Sequence, residues 1–252
     1  MDIISKIKEK PELKGIADSL VEEKLSKVLK KYPLSLSEKN EKLIIKETRA
    51  LLRKNVGQYQ IKTTKRTKLF KEKNWSELLY THTSTKERAP YYLELKQKIN
   101  TFKPLSILDL GCGLNPLALA TPTIPYHASD VNESDLSIVK AYFKEKNLKG
   151  SVFSFDLRNQ DPSTLPQADI CLLFKLFDAL EQTSHKLAEQ LITKIPTQRF
   201  LISFALIKLS GKPMNVPNRP WLEHLLRKHN LPYSSFIIGN ELFYYVEKRK
   251  DL

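Results

Sequence analysis

The sequence predicts an α/β protein: a mostly parallel seven-stranded sheet with a terminal antiparallel hairpin, preceded by a small basic helical subdomain. Three observations predict it. Apolar, strand-like runs alternate with helical periodicity from residue 106 onward. Two such runs, 233–238 and 241–247, flank Gly239-Asn240, a hairpin turn signal. The positive charge is concentrated ahead of the alternating region: residues 1–100 carry 24 Lys and Arg against 13 Asp and Glu, while residues 101–252 carry 18 against 15. The expected division is therefore a basic helical unit over 1–100 and a strand–helix domain over 101–252.

Composition narrows the class further. A chain of 252 residues with 41% hydrophobic content holds one large domain or one with an appendage. No apolar run approaches the roughly 18 residues that span a bilayer. The first residues, Met1-Asp2-Ile3-Ile4-Ser5-Lys6, lack the apolar run and small-residue cleavage site of a secretory signal. Cys112 and Cys171 are too few for a disulfide framework, so a reducing cytoplasm is expected. The net charge is +14, and residues 51–100 alone hold 12 cations against 4 anions. A basic block beside a cofactor-type fold points to a polyanionic substrate, most simply nucleic acid; a solvated basic surface is the competing explanation.

In chain order, apolar spacing predicts a helix over 14–31, stopped by Pro33. Ser35-Leu36-Ser37-Glu38 fits a capping box that opens a second helix, with Gly57 as its stop. From Tyr59 to Lys73 apolar periodicity fails. Lys62, Lys65, Arg66, Lys68 and Lys71 interleave there with Tyr59 and Phe70, a composition suited to phosphates and unpaired bases or to a solvated linker. A helical turn is expected over 75–79. Ser84-Thr85-Lys86-Glu87 reads as a capping box ahead of a helix over 89–99. That accounts for neither His82 nor Arg88, and an arginine in a first helical turn opposes the dipole and calls for an anionic partner.

Strands are then expected over 106–110, 125–130, 150–156, 169–174 and 199–204, with helices over 132–145, 177–195 and 220–229. The run 169–174 is continuously apolar, as a strand covered on both faces should be.

Within this frame, Ile107-Leu108-Asp109-Leu110-Gly111-Cys112-Gly113-Leu114-Asn115-Pro116 holds the candidate site. A buried strand breaks into a G-x-G turn that lets the backbone approach a ligand, and Asn115-Pro116 offers a cap followed by Pro at the first helical position. The third glycine of the dinucleotide fingerprint is replaced by Pro116, which favours a cofactor without phosphates. Asp130 ends the second strand, 19 positions after Gly111. It reads as an acceptor for two ribose hydroxyls or as an N-cap of the next helix. Asp156 ends the third strand and reads as an acceptor for an adenine amino group or as a turn residue. Phe174 and Lys175 end the fourth strand, where a base would enter. Phe174 suits a stacking platform or the core, and Lys175 suits a base edge or phosphate. The loop carrying Lys212 contains Gly, Pro and cations and reads as a substrate-side loop. No metal-ligand spacing occurs among the histidines, and there is neither a nucleophile elbow nor a phosphate-binding P-loop.

Asp109-Leu110-Gly111-Cys112-Gly113 resembles motif I of class I methyltransferases, Rossmann-like enzymes that bind S-adenosylmethionine (SAM). More specifically, His82-Thr83-Ser84-Thr85-Lys86-Glu87-Arg88 followed by Gly111-Cys112-Gly113-Leu114-Asn115-Pro116-Leu117-Ala118, Ser129-Asp130, Leu173-Phe174-Lys175-Leu176, Leu180-Glu181 and Ser203-Phe204 resembles the aminoglycoside-resistance 16S rRNA guanine-N7 methyltransferases, the Arm/Rmt or FmrO-type family. The likeness covers roughly residues 75–205. It implies that Arg88, Ser84 and Thr85 hold the methionine carboxylate of SAM. It also implies that Gly111 and Gly113 line the cofactor, Asp130 takes the ribose, and Asp156 with the Leu157 backbone takes the adenine; His82 and Asp109 belong to the same cofactor-binding set. Phe174 and Lys175 are the expected catalytic pair. The basic residues Lys62, Lys65, Arg66, Lys68, Lys71 and Lys212 are expected on 16S rRNA of the 30S subunit, approached by a monomeric protein. One departure stands out: after Ser203-Phe204 the resistance enzymes continue with Pro-Thr and a Gly-Gly-Arg loop, whereas this chain reads Ala205-Leu206-Ile207-Lys208. That departure leaves methylation of another RNA base, such as an adenine N1 or a tRNA site, as an alternative, and the basic N-terminal block leaves non-catalytic binding of SAM and RNA as another.

Overall fold

The computed structural model describes residues 2–32, 38–55, 60–61, 63–180, 185–207, 212–214 and 217–248. The chain opens with three helices, α1 (Ile3–Lys8), α2 (Asp18–Leu29) and α3 (Glu38–Asn55). They enclose their own apolar core, in which Ile7, Leu20, Val21, Val28, Ile44 and Leu52 are buried. The helix expected from residue 14 begins at Asp18. The residues before it are drawn out against the main domain: Ile16 bridges Asn132, Ala17 N–H donates to the Val131 carbonyl at 3.0 Å, and Glu133 N–H donates to the Gly15 carbonyl at 2.7 Å. Gly15 has no room for a side chain, because a Cβ would lie 2.0 Å from Ser134 Oγ. Val131 packs into the helical core from the other side of this junction. The capping box at 35–38 and the stop at Gly57 fall largely on residues outside the described set.

The segment expected to lack periodicity contains a helix, α4 (Thr63–Lys71). Its inward face is Arg66, Leu69 and Phe70, a helical i, i+3, i+4 set whose first member is a cation. Counting apolar residues alone misses it. There follow α5 (Trp75–Leu78), α6 (Thr83–Arg88) and α7 (Tyr92–Thr101). Leu78, Tyr92, Leu95 and Ile99 are buried against the sheet. By packing, the second half of the basic N-terminal region thus belongs with the sheet, and the independent core ends near residue 52 rather than at 100.

The sheet contains β1 (Ile107–Leu110), β2 (Tyr126–Asp130), β3 (Gly150–Ser154), β4 (Ala168–Phe174), β5 (Thr197–Ala205), β6 (Tyr233–Ile238) and β7 (Glu241–Glu247) in the order β3-β2-β1-β4-β5-β7-β6. All pairings are parallel except those of β7, which runs antiparallel to β5 and β6. The central strands are apolar on both faces because both are covered. Leu108, Leu110, Cys171, Leu173, Phe200 and Ile202 meet α10 (Leu176–Leu180), α11 (His185–Lys194) and α12 (Pro220–Lys228). Ile107, Ile170, Leu172 and Leu201 meet α7, the short α8 (Pro116–Leu119) and α9 (Glu133–Glu145). The helix expected over 177–195 is two helices, with residues 181–184 outside the described set. Among the described residues no helix is long and apolar enough to cross a membrane.

Parallel order brings the C-terminal ends of β1, β2, β3 and β4 to one edge, and the order reverses between β1 and β4. A crevice is expected there, and one is found.

Candidate cofactor and substrate cleft

The turn after β1 forms the back wall of the cleft. Gly111 and Gly113 hold φ of +65° and +49°, conformations that favour glycine. A Cβ at 111 would stand 2.8 Å from Leu176 Cδ1, and one at 113 would stand 3.0 Å from the His82 ring. The His82 ring thus packs against the turn at Gly113. Its burial, with the charges of Arg66, Arg88 and Lys175 adding to it against Asp135, lowers its pKa to about 4, so the ring is neutral at physiological pH. Asn115 does not cap the following helix. Its backbone is already helical, and its side-chain oxygen accepts from Arg88 at 2.6 Å and from Tyr92 at 2.7 Å.

Asp130 is released from the capping role that competed for it. The cap of α9 is Asn132, which accepts from the N–H groups of Ser134 and Asp135. Asp130 instead accepts from Gly113 N–H and from Asn132 N–H, both at 2.9 Å, and lines the cleft. Burial, reinforced by the neighbouring Asp135 carboxylate, pushes its pKa up to about 6. Asp156 also lines the cleft, but its carboxylate organises its own turn, accepting from Arg158 N–H at 3.0 Å and Asn159 Nδ2 at 2.8 Å. The cleft offers about 730 Å³ of empty space, counting the open solvent at its mouth. Of the residues expected at the site, His82, Ser84, Gly111, Asp130, Asp156, Leu157, Phe174 and Lys175 line it together.

Several expected residues stand behind that wall. Asp109 is fully buried and accepts from the Tyr126 hydroxyl at 2.7 Å; burial, opposed in part by that hydrogen bond, raises its pKa to about 7. Thr85 donates to the carbonyls of Leu79 and His82. Arg88 is buried and forks onto Glu241, with Nε and Nη2 each 3.0 Å from a different carboxylate oxygen. Burial alone would lower the Arg88 pKa; the Glu241 charge raises it, so the guanidinium stays charged. The capping box expected at Ser84 does not form. The helix begins at Thr83, and Glu87 reaches across to Lys175 Nζ at 2.5 Å. Lys175 also lies 3.3 Å from Glu241, and it adopts a φ of +53°, unusual for a residue with a side chain. Its N–H donates to both the carbonyl and the hydroxyl of Ser203, which hold it there. Phe174 is in the core: its ring carries the Arg88 guanidinium at 5.0 Å and meets the edge of Phe243 at 5.5 Å. It supports Arg88 and is not the open stacking surface expected of it.

The basic helix α4 divides. Lys65, Lys68 and Lys71 are exposed, as is Lys212, whereas Lys62 lies outside the described residues. Arg66 is the exception to the RNA-facing expectation: it points inward. It donates to Thr81, to Gln60 and, at 2.6 Å, to the buried Asp135, fastening the helix to the rim of the cleft. Arg66→Ala is accordingly expected to lower stability by about 2 kcal/mol, because Asp135 loses a charged hydrogen bond while buried. Lys65→Ala and Lys68→Ala should leave the melting temperature within about 2 °C of wild type. Thermal melts of the three variants check the division; equal shifts would refute it.

Glu87, Glu241, Gln60 and Asp135 were not found from the sequence. The available signal was Glu241, a carboxylate opening an otherwise apolar strand run, together with an excess of buried-type positions for two cations, Arg88 and Lys175. Among the described residues no group of three His, Cys, Asp or Glu side chains could hold a metal ion.

A seven-stranded sheet with this order, a glycine turn after its first strand and acids at the next two strand ends defines a class I SAM-dependent methyltransferase. The glycine cradle fits such a cofactor, since the positive φ of Gly111 and Gly113 makes a tight turn and Gly111 presents bare backbone to the cleft. A model of the family described as ribosomal RNA methyltransferase (FmrO) matches residues 40–243, and the chain belongs to that family. It is 31% identical over 174 residues to the 16S rRNA (guanine(1405)-N(7))-methyltransferase of Serratia marcescens, covering 66% of this chain and 67% of that protein. It is 28% identical over 179 residues to the enzyme of the same name from Micromonospora echinospora, covering 66% and 63%. The chain thus spans about two thirds of the length of the curated relatives it matches. Among solved structures it is similar to the 16S rRNA methyltransferase RmtF in complex with S-adenosyl-L-homocysteine, with a TM-score of 0.83 at 22% identity over 99% of this chain and 100% of that one. It is also similar to the 16S rRNA methylase ArmA, with a TM-score of 0.60 at 27% identity over 73% and 98%.

Proposed function

We propose that this chain methylates N7 of a guanine in 16S rRNA, acting on the small ribosomal subunit. The relatives named for that reaction support it, and one feature of the cleft carries it: each of its carboxylates is already committed. Asp130 accepts from two backbone N–H groups, Asp135 from Arg66 and Gln60, and Asp156 from Arg158 and Asn159. His82, with its pKa near 4, is a weak base. Asp130, with its pKa near 6, could take a proton but is expected at the ribose, and guanine N7 needs none removed, because its lone pair is free at neutral pH. Rate enhancement then rests on alignment and on fixed charge.

SAM, when bound, supplies an electrophilic methyl group. The residues that would hold it are Gly111 and Gly113 by close backbone approach, Asp130 at the ribose, and Asp156 with Leu157 at the adenine. Ser84 lines the cleft beside them, and the buried Arg88 charge in the wall behind would favour the methionine carboxylate. Lys175 carries three N–H donors, and Glu87 and Glu241 fix its position on the wall. It would offer a donor to the guanine edge or a neighbouring phosphate. The exposed Lys65, Lys68 and Lys71 would neutralise rRNA phosphates.

The test is methyl transfer from labelled SAM to purified 30S subunits, with free 16S rRNA and tRNA in parallel. Label at one borohydride- and aniline-cleavable guanine in 30S is the expected result. Label at a nucleotide that resists cleavage, label confined to tRNA, or no label in any RNA would overturn it. A Lys175→Ala protein that binds SAM normally should lose at least about tenfold in kcat/KM on 30S; wild-type turnover would remove the role given to Lys175.

A further inference from the structure

On the far side of α10 from the cleft, two aromatic rings form a small stack. His185, the first residue of α11, lies over Trp221, near the start of α12, with ring centroids 4.8 Å apart and planes only 6° from parallel. Trp221 is braced edge-on by Phe177 at 5.8 Å and by Phe204 at 6.0 Å. Phe204, the penultimate residue of β5, carries the Arg219 guanidinium at 4.8 Å over its own ring. Arg219 is in turn pinned by the carbonyls of Ala205 and Pro217. The lower ring therefore cannot tilt or withdraw without disturbing the core. His185 itself is exposed, and so is its neighbour Lys186.

Topology fixes where this stack faces. Helices that follow parallel strands run back from the C-terminal edge of the sheet, so the first turns of α11 and α12 both lie at that edge. This is the edge that holds the cleft. The spacer is α10 alone: Leu176 and Leu180 line the cleft, while Phe177 between them contacts Trp221. An α-helix is about 10 Å across, which is close to the reach of one or two nucleotides from a base held in the cleft.

A parallel pair of rings at a surface, with its inner member locked and its outer member exposed beside a lysine, is suited to taking a third flat ring. We propose that His185 and Trp221 form a stacking platform for an unpaired RNA base flanking the target nucleotide. The site is distinct from the cofactor cleft and from the basic face of α4. The occupant is a nucleobase rather than an apolar protein side chain because the chain carries a net charge of +14 and the family to which it belongs acts on ribosomal RNA. Sequence-tolerant stacking of bases on aromatic side chains is a common way of holding single-stranded segments. The proposal rests on the rRNA reading above.

The experiment compares His185→Gln, which keeps a polar side chain of similar length, with His185→Phe, which keeps only the ring. Dissociation constants for 30S subunits, KM and kcat for methyl transfer, SAM affinity by calorimetry and melting temperature are measured for both. His185→Gln is expected to raise the 30S dissociation constant and KM about tenfold, with kcat, SAM affinity and melting temperature unchanged. His185→Phe should restore both constants to within about twofold of wild type. A Gln variant that binds 30S as wild type does, or a Phe variant as weak as the Gln variant, would overturn the platform. If the wild-type protein labels no RNA, the methyltransfer reading fails by itself, and the same 30S binding constants still decide whether the rings contact RNA.

Discussion

Arg88→Ala will destabilise the protein by about 3–5 kcal/mol, the usual cost of leaving one member of a buried ion pair alone. Glu241 is 1% exposed. Without Arg88 it keeps only Ser203 Oγ at 2.7 Å and the more distant Lys175 ammonium. Asn115 Oδ1 loses one of its two donors and keeps only the Tyr92 hydroxyl, and the Phe174 ring loses the cation above it. In a chain of this length the change should appear as a fall in melting temperature on the order of 10 °C. Arg88→Met combined with Glu241→Met should recover most of that loss, since an apolar pair of similar volume leaves no charge uncompensated. A melting temperature within about 2 °C of wild type for the single variant would show that the pair does not organise this face of the sheet.

Asp130→Asn will weaken SAM binding about a hundredfold. The carboxylate accepts from two backbone N–H groups, one from the glycine turn and one from the loop before α9. An amide has one accepting oxygen and an NH2 that opposes the second N–H, so the turn and the expected ribose acceptor are lost together, each charged hydrogen bond being worth about 1.5–3 kcal/mol. The same residue sets a pH dependence. Its pKa in the folded protein is about 6, so lowering the pH through 6 protonates it and removes acceptor capacity. SAM affinity of the wild type should therefore fall as the pH is taken from 7.5 to 5, while that of Asp130→Asn stays low and flat. Calorimetric titrations across that range check both statements; a parallel fall in the variant would assign the dependence elsewhere. The stability contribution runs the other way. Asp130 and Asp109 both have pKa values raised above the unfolded range, so the stability each contributes is complete at low pH and is lost as pH rises through about 6 and about 7 respectively. His82, lowered to about 4, opposes them: its contribution is complete above the unfolded value and is lost as pH falls towards 4.

Much of this architecture is legible in the residues. The continuous apolar run of β4 and the hairpin at Gly239-Asn240 announce themselves, because a strand covered on both faces admits little polarity and a tight turn needs a residue tolerant of positive φ. Gly111, Gly113, Asp130 and Asp156 are legible as a set, since parallel order alone brings strand ends together. The buried ionic hub is not. Arg88, Lys175, Glu87 and Glu241 are spread over more than 150 positions, from Glu87 to Glu241, and only the antiparallel return of β7 beside β5 puts the last of them near the others. Local pattern also misassigns residues whose local partner is replaced by a distant one. Glu87 has the spacing of a capping box, and Asn115 has the position of a helix cap, yet each finds a charged partner across the fold that outweighs a neighbouring amide. Arg66 is misread for a related reason: a cation on the inward stripe of a helix looks like surface until Asp135 is known to face it.

The junction at Gly15, Ile16 and Ala17 couples the N-terminal helices to the loop that follows β2. Its hydrogen bonds are main chain to main chain, and Val131 lies in the helical core one residue after Asp130. Free energy exchanged across such a junction is reciprocal: whatever ligand steadies the loop steadies the helices by the same amount, and whatever surface grips the helices tightens the loop.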